Sequence, residues 1–144
     1  MIGKLVFAGL LAAVSVQGAL ARDVELRRSV KVGEETPIIA HSLFRGECET
    51  KSPDIKILRQ PQNGTAVVKT GKRTFPKGGK GNMAKCDGKS GVGSAVHYTP
   101  KKDFQGLDTV QYEVDTNSGK NKVTVRIRVG TPPQLKNEGW VKSQ

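Results

Sequence analysis

The stretch VQYEVDTNSGKNKVTVRIRV, Val110–Val129, carries the strongest structural signal in the chain. Val123, Val125, Ile127 and Val129 alternate with Thr124, Arg126 and Arg128. This is the period-two pattern of a half-buried strand, which places the basic residues on the water face. Val110, Tyr112 and Val114 alternate with Gln111 and Glu113 in the same way. Between the two runs, Asp115-Thr116-Asn117-Ser118-Gly119-Lys120 supplies turn formers that tolerate positive φ, so the pair is expected to form a hairpin.

Working outward, the same pattern recurs in shorter pieces. Val30 and Val32 precede Gly33, and Pro37–Ala40 follows the acidic turn at Glu34 and Glu35. Ile55 and Ile57 form another piece, ended by Gln60-Pro61-Gln62-Asn63-Gly64. Thr65–Thr70 and Ala95–Thr99 follow, the latter closed by Pro100. About seven short strands with turn signals between them, and no helical periodicity after residue 21, predict an all-β antiparallel sandwich rather than a parallel α/β sheet.

The ends of the chain read differently. MIGKLVFAGLLAAVSVQGALA, residues 1–21, has Lys4, an apolar run from Leu5 to about Val16, and Ala19 and Ala21 around Leu20. That is the layout of a secretory signal peptide cleaved after Ala21. Its apolar run is shorter than the roughly 20 residues of a membrane-crossing helix. The expectation is an exported protein, periplasmic or secreted, whose mature chain starts at Arg22 and carries no transmembrane span. Thr131-Pro132-Pro133 stops the last strand, and residues 131–144 read as a flexible tail. Trp140, the sole tryptophan, can pack on the domain or anchor a partner.

The 144-residue chain has a formal net charge of +11. The excess is concentrated: Thr65–Lys102 contains nine Lys or Arg against Asp87 alone. These are Lys69, Lys72, Arg73, Lys77, Lys80, Lys85, Lys89, Lys101 and Lys102, the candidate anion-binding residues. Such a segment attracts anionic polysaccharide, anionic lipid surfaces or nucleic acid, and it is also compatible with a solvated basic face that has no partner.

Two cysteines occur, Cys48 and Cys86. In an exported protein an isolated pair is most simply one disulfide. A metal site with His41 and His97 competes, but the spacings H-x6-C and C-x10-H lack the close ligand pairs of structural zinc sites.

From Pro61 onward the chain reads P-Q-N-G-T-A-V-V, then a Gly/Lys-rich insertion at about 70–94, then V-H-Y-T-P-K-K-D-F-Q-G-L-D-T-V-Q-Y-E-V, a hairpin, and V-T-V-R-I-R-V. This resembles the immunoglobulin-like, cadherin-like modules of bacterial surface and secreted proteins. The resemblance implies one immunoglobulin-like sandwich over residues 22–130 and a bacterial cell-envelope setting. It also implies a structural corner at Gly106, Asp108 and Tyr112. The D-x-x-x-Y spacing is similar to the tyrosine corner, in which a phenol ties back to the backbone near its strand start. Family members often have acidic, calcium-suited loops. Here Asp103, Asp108, Asp115 and Asn117 are the nearest equivalents, but they lie among lysines and form no dense oxygen cage.

Other chemistry finds little support. Gly88-Lys89-Ser90 matches the end of a phosphate-binding G-x-x-x-x-G-K-[ST] loop, but Met83 stands where the first glycine belongs, and Gly91-Val92-Gly93 cannot open a helix. No G-x-S-x-G elbow is present, and neither His41 and His97 nor Glu34-Glu35 and Glu47-Glu49 form a recognisable acid-base constellation. Seven aromatics in all leave no stacking platform for nucleic acid. The expectation is therefore a non-enzymatic binding or adhesion module without a cofactor. Its partner would be an anionic polysaccharide or envelope surface, or else a protein. The alternatives are a structural accessory domain and a calcium-binding cadherin-like module.

Overall fold

The computed structural model describes residues 21–75 and 77–130, apart from the side chain of Asn82. The expected signal segment before residue 21, the tail at 131–144 and Trp140 lie outside the described residues. Strands β1 (Arg22–Val30), β2 (Thr36–His41), β3 (Leu43–Gly46), β4 (Glu49–Lys51), β5 (Ile55–Arg59) and β6 (Gly64–Thr74) are followed by a 3-10 helix at Gly81–Cys86. Strands β7 (Ser90–Pro100), β8 (Gly106–Thr116) and β9 (Gly119–Val129) complete the fold. Among the described residues no helix is long and apolar enough to cross a membrane.

The protein is all-β, with its sheets in a sandwich-like arrangement. One sheet has the order β1-β9-β8-β5, the other β2-β7-β6, and β3 and β4 form a separate two-stranded ribbon. The expected hairpin is β8–β9, in register from Gly106 opposite Val129 to Thr116 opposite Gly119. β1 pairs with β9 in parallel, so the sandwich is not wholly antiparallel.

Alternation explains the core. Val110, Tyr112 and Val114 of β8 and Val123, Val125, Ile127 and Val129 of β9 are buried together with Ile38, Ala66, Val96 and Tyr98 from the other sheet. Each buried side chain of this size contributes roughly 1.5–3 kcal/mol of hydrophobic stabilisation. Arg128, expected on the water face, is instead buried at 9% exposure. It lies in the central strand β9, between Ser29 of β1 and Leu107 of β8, whereas Arg126 reaches the surface and pairs with Glu25 at 3.0 Å.

Three expectations change. Nine strands form among the described residues rather than about seven, because β3 and β4 are too short to show alternation. Both ends of the insertion at about 70–94 are sheet: β6 continues to Thr74 and β7 begins at Ser90, paired from Gly71 opposite Gly93 to Thr74 opposite Ser90. The corner is also relocated. The Tyr112 hydroxyl meets His41 Nε2 at 2.7 Å, and it is Tyr98 that donates to Asp108 Oδ2 at 3.0 Å. Asp108 also accepts from the backbone amides of Gln62, Asn63 and Thr109, so it holds the β5–β6 turn against the start of β8. Gly106 opens that strand at φ +143, where an added Cβ would lie 3.4 Å from the Phe104 ring.

β6 is an edge strand of its sheet. At Ala66 the Gln60 side chain accepts the backbone N–H at 2.9 Å and donates to the carbonyl at 3.0 Å, sealing that part of the edge. Further along, Lys69, Lys72 and Arg73 supply the charges that discourage edge-to-edge pairing.

Candidate functional site

The lysine- and glycine-rich stretch forms an ordered tip at one end of the β6–β7 hairpin. Its only carboxylate, Asp87, accepts the backbone N–H groups of Gly78 and Gly79 at 2.8 and 3.0 Å. Phe75 N–H donates to the Lys89 carbonyl at 2.9 Å, and Gly88 N–H to the Phe75 carbonyl at 3.1 Å, closing the base of the loop. The glycines therefore do not leave the segment a loose tether, as its composition suggests. Ser90 enters a strand, so the Gly88-Lys89-Ser90 sequence has no helix N-terminus on which to seat a phosphate.

The β3–β4 ribbon is fastened to this tip by a disulfide between Cys48 and Cys86. Glu47 and Cys48 adopt φ +36 and +71 in the ribbon turn, a region that residues with side chains rarely occupy. Thr50 Oγ1 accepts from Val92 N–H at 2.7 Å and donates to the Val92 carbonyl at 2.9 Å, so a side chain takes the place of a neighbouring strand. From the other side, the Asn117 amide does the same for Phe44. It accepts the Phe44 N–H at 3.1 Å and donates to the carbonyl at 2.8 Å.

Gly91 and Gly93 make the close fit sterically feasible. A Cβ on Gly91 would lie 2.4 Å from Thr50 Oγ1, and one on Gly93 would lie 2.6 Å from the His41 carbonyl and 2.8 Å from Arg73 Cδ. The arginine stem thus crosses the bare backbone of Gly93. The result is a cleft of about 380 Å³ lined by Phe44, Phe75, Met83 and Val92, with His41 and Arg73 in its wall. The Phe44 and Phe75 rings are 5.7 Å apart, centroid to centroid. Burial, and secondarily the nearby Arg73 charge, hold the His41 imidazole below its ordinary range, while burial pushes the Tyr112 phenol up.

The nine candidate cations do not form one patch. Lys72, Arg73, Lys77, Lys80, Lys85 and Lys89 belong to the tip and make no ion pair among the described residues. Lys69 lies further down β6 and pairs with Glu35, which also meets His97 Nδ1 at 2.8 Å. The Lys69 hydrogen bond first, and then that of His97, lowers the Glu35 pKa. Lys101 and Lys102 follow the opposite end of β7, about 30 Å from the tip at the usual rise per strand residue. Lys101 also donates to the Gln62 carbonyl at 2.8 Å.

Three of the four residues named for calcium are engaged by other protein groups. Asp108 is committed to the corner, Asp115 to Lys120 at 3.1 Å, and Asn117 to Phe44. Among the described residues no three His, Cys, Asp or Glu side chains gather into a metal-sized group.

Asn117 was read as a turn former and a calcium-ligand equivalent, not as the partner of Phe44, and Phe44, Met83, Val92 and Thr50 were not legible as site residues. Their only sequence signal is negative: Phe44 and Met83 stand outside every alternating run. No protein-family model matches the chain, and no curated protein or solved structure matches it significantly.

Proposed function

We propose that the protein is an exported, non-enzymatic binding module of the cell envelope, and that the tip of the β6–β7 hairpin contacts an anionic envelope component. The observation that carries this reading is the tip's charge balance. Six cations converge on one end of a hairpin whose only acid is consumed by Gly78 and Gly79. A like-charged cluster held on an ordered loop repels itself and attracts polyanions.

Two observations support the wider setting. The sheet pairing of β1 starts at Arg22, the residue after the expected cleavage point, so removal of residues 1–21 leaves the β1–β9 ladder whole. The Cys48–Cys86 bond suits an oxidising compartment. The parallel first and last strands, with β9 and β8 central in their sheet, also favour an immunoglobulin-like topology.

Elution of the Arg22–Gln144 chain from immobilised alginate along a salt gradient tests this reading. Exposed charges are screened beyond about 8–10 Å at physiological ionic strength, so retention is expected to fall steeply with salt. Replacing Lys72, Lys77, Lys80, Lys85 and Lys89 by Gln should remove most of the retention, and the same change at Lys101 and Lys102 should remove little. Equal retention of the tip variant and wild type would leave the tip as a structural ornament and favour an accessory-domain role.

A further inference from the structure

We infer that the cleft between the β3–β4 ribbon and the hairpin tip binds an amphiphilic anion. An apolar chain would lie against Phe44, Phe75, Met83 and Val92, and its carboxylate or phosphate would pair with Arg73. This deepens the reading of the tip as an anion-binding surface and rests on it.

The first support is the placement of apolar surface. Phe44, Met83 and Val92 are 40%, 36% and 39% exposed, three of the six large apolar side chains left in water among the described residues, and all three line this one cleft. Met83 and Val92 occur in the most highly charged part of the chain, where a hydrophilic polymer would make no use of them. The cleft volume of about 380 Å³ falls in the range of roughly 300–1,000 Å³ that small-ligand sites occupy.

The second support is Arg73. Arg73 lines the cleft and makes no hydrogen bond or ion pair with a described residue. Its stem is laid over Gly93, where an added Cβ would meet it at 2.8 Å, so the bare glycine backbone leaves room for the arginine beside the cleft. The neighbouring His41 contributes no competing charge at neutral pH, because Tyr112 occupies Nε2 and burial favours the neutral ring. A planar guanidinium offers paired donors to a carboxylate or phosphate.

The third support is that both walls are held independently of a ligand. Asn117 pins Phe44, Thr50 pins Val92, and the disulfide joins the ribbon to the helix that carries Met83. A preformed apolar site loses little to ordering on binding.

Calorimetric titration of the disulfide-intact Arg22–Gln144 chain with dodecanoate, below its micelle concentration, tests the inference. One saturable site is expected, with dodecyl maltoside, the uncharged probe of equal chain length, binding at least about tenfold more weakly, as does dodecanoate to Arg73→Gln. Met83→Gln combined with Val92→Thr changes two exposed side chains and no charge. It should weaken dodecanoate about tenfold or more while leaving alginate retention and the thermal melt unchanged.

Alginate retention without dodecanoate binding would overturn the inference and leave the wider reading standing. Failure with both probes would sink the two together. Dodecanoate binding that is unsaturable, or indifferent to the Met83/Val92 variant, would also overturn it. So would binding to phosphatidylglycerol vesicles without binding of the monomer, which would assign the surface to a bilayer rather than to one amphiphile.

Discussion

The hydroxyl of Tyr98 donates to Oδ2 of Asp108 across 3.0 Å, inside the core, joining β7 of one sheet to β8 of the other. The same carboxylate accepts the amides of Gln62, Asn63 and Thr109, so one side chain organises a turn, a strand start and a phenol. Burial, reinforced by the Asp108 hydrogen bond, pushes the Tyr98 phenol well above its ordinary range.

Asp108→Ala should therefore destabilise the domain by about 3–5 kcal/mol, since it strands several buried donors at once. Asp108→Asn, with one acceptor oxygen replaced by a donor, should cost about 2–3 kcal/mol. Urea unfolding followed by circular dichroism measures both. A loss below 1 kcal/mol for the alanine variant would show that the corner is peripheral to stability.

Gly71 and Gly93 face one another across the β6–β7 ladder and offer a matched comparison. Gly93→Ala drives a Cβ to 2.6 Å from the His41 carbonyl, a backbone atom that cannot swing aside, whereas Gly71→Ala meets nothing within 4 Å. The first change should cost about 1–3 kcal/mol as overpacking and displace Arg73. The second should stay within about 0.5 kcal/mol of wild type. Paired thermal melts decide the matter, and equal effects would refute the close approach.

Removing the Cys48–Cys86 bridge, with its sequence separation of 38, should lower stability by about 4 kcal/mol in the chain-entropy account. The consequence should be local first. Among the described residues the ribbon and tip contribute no side chain to the main core, so limited trypsin digestion of Cys48→Ser/Cys86→Ser should cut among Lys77–Lys89 while amides of β8 and β9 remain protected from exchange. Simultaneous loss of tip and core protection would show that the two unfold as one unit.

His41 should give the protein a mildly acid-sensitive stability. Its folded-state pKa is depressed, chiefly by burial, so the unfolded chain binds the proton more readily. The stabilisation is complete above the unfolded value of about 6.5 and declines as pH falls through the lower folded value. His41→Gln should flatten the dependence of urea midpoint on pH just below about 6.5. An unchanged slope in the variant would assign that titration to another group.

The β8–β9 hairpin was readable from residues 110–129 alone, and the all-β class from the recurrence of the same alternation along the chain. A strand that buries one face writes that fact locally, every second residue, and Val110 to Val129 repeats it often enough to be unambiguous. The disulfide was readable as well, because two cysteines permit one pairing. Composition also located most of the charge, but it did not reveal that Glu35 would engage Lys69 or that the Gln62 carbonyl would engage Lys101.

Only the tertiary structure decided the site. Phe44 is held by Asn117 across 73 residues, and Val92 by Thr50 across 42, and neither bond leaves a trace in the local sequence of its partners. Gly91 and Gly93 read as flexible joints when taken singly. In the fold they are the places where a ribbon and an arginine stem lie against bare backbone, a role that depends on what approaches them rather than on glycine itself. Periodic burial is a short-range property and survives in one dimension. A cleft assembled from four distant segments exists only once those segments are packed.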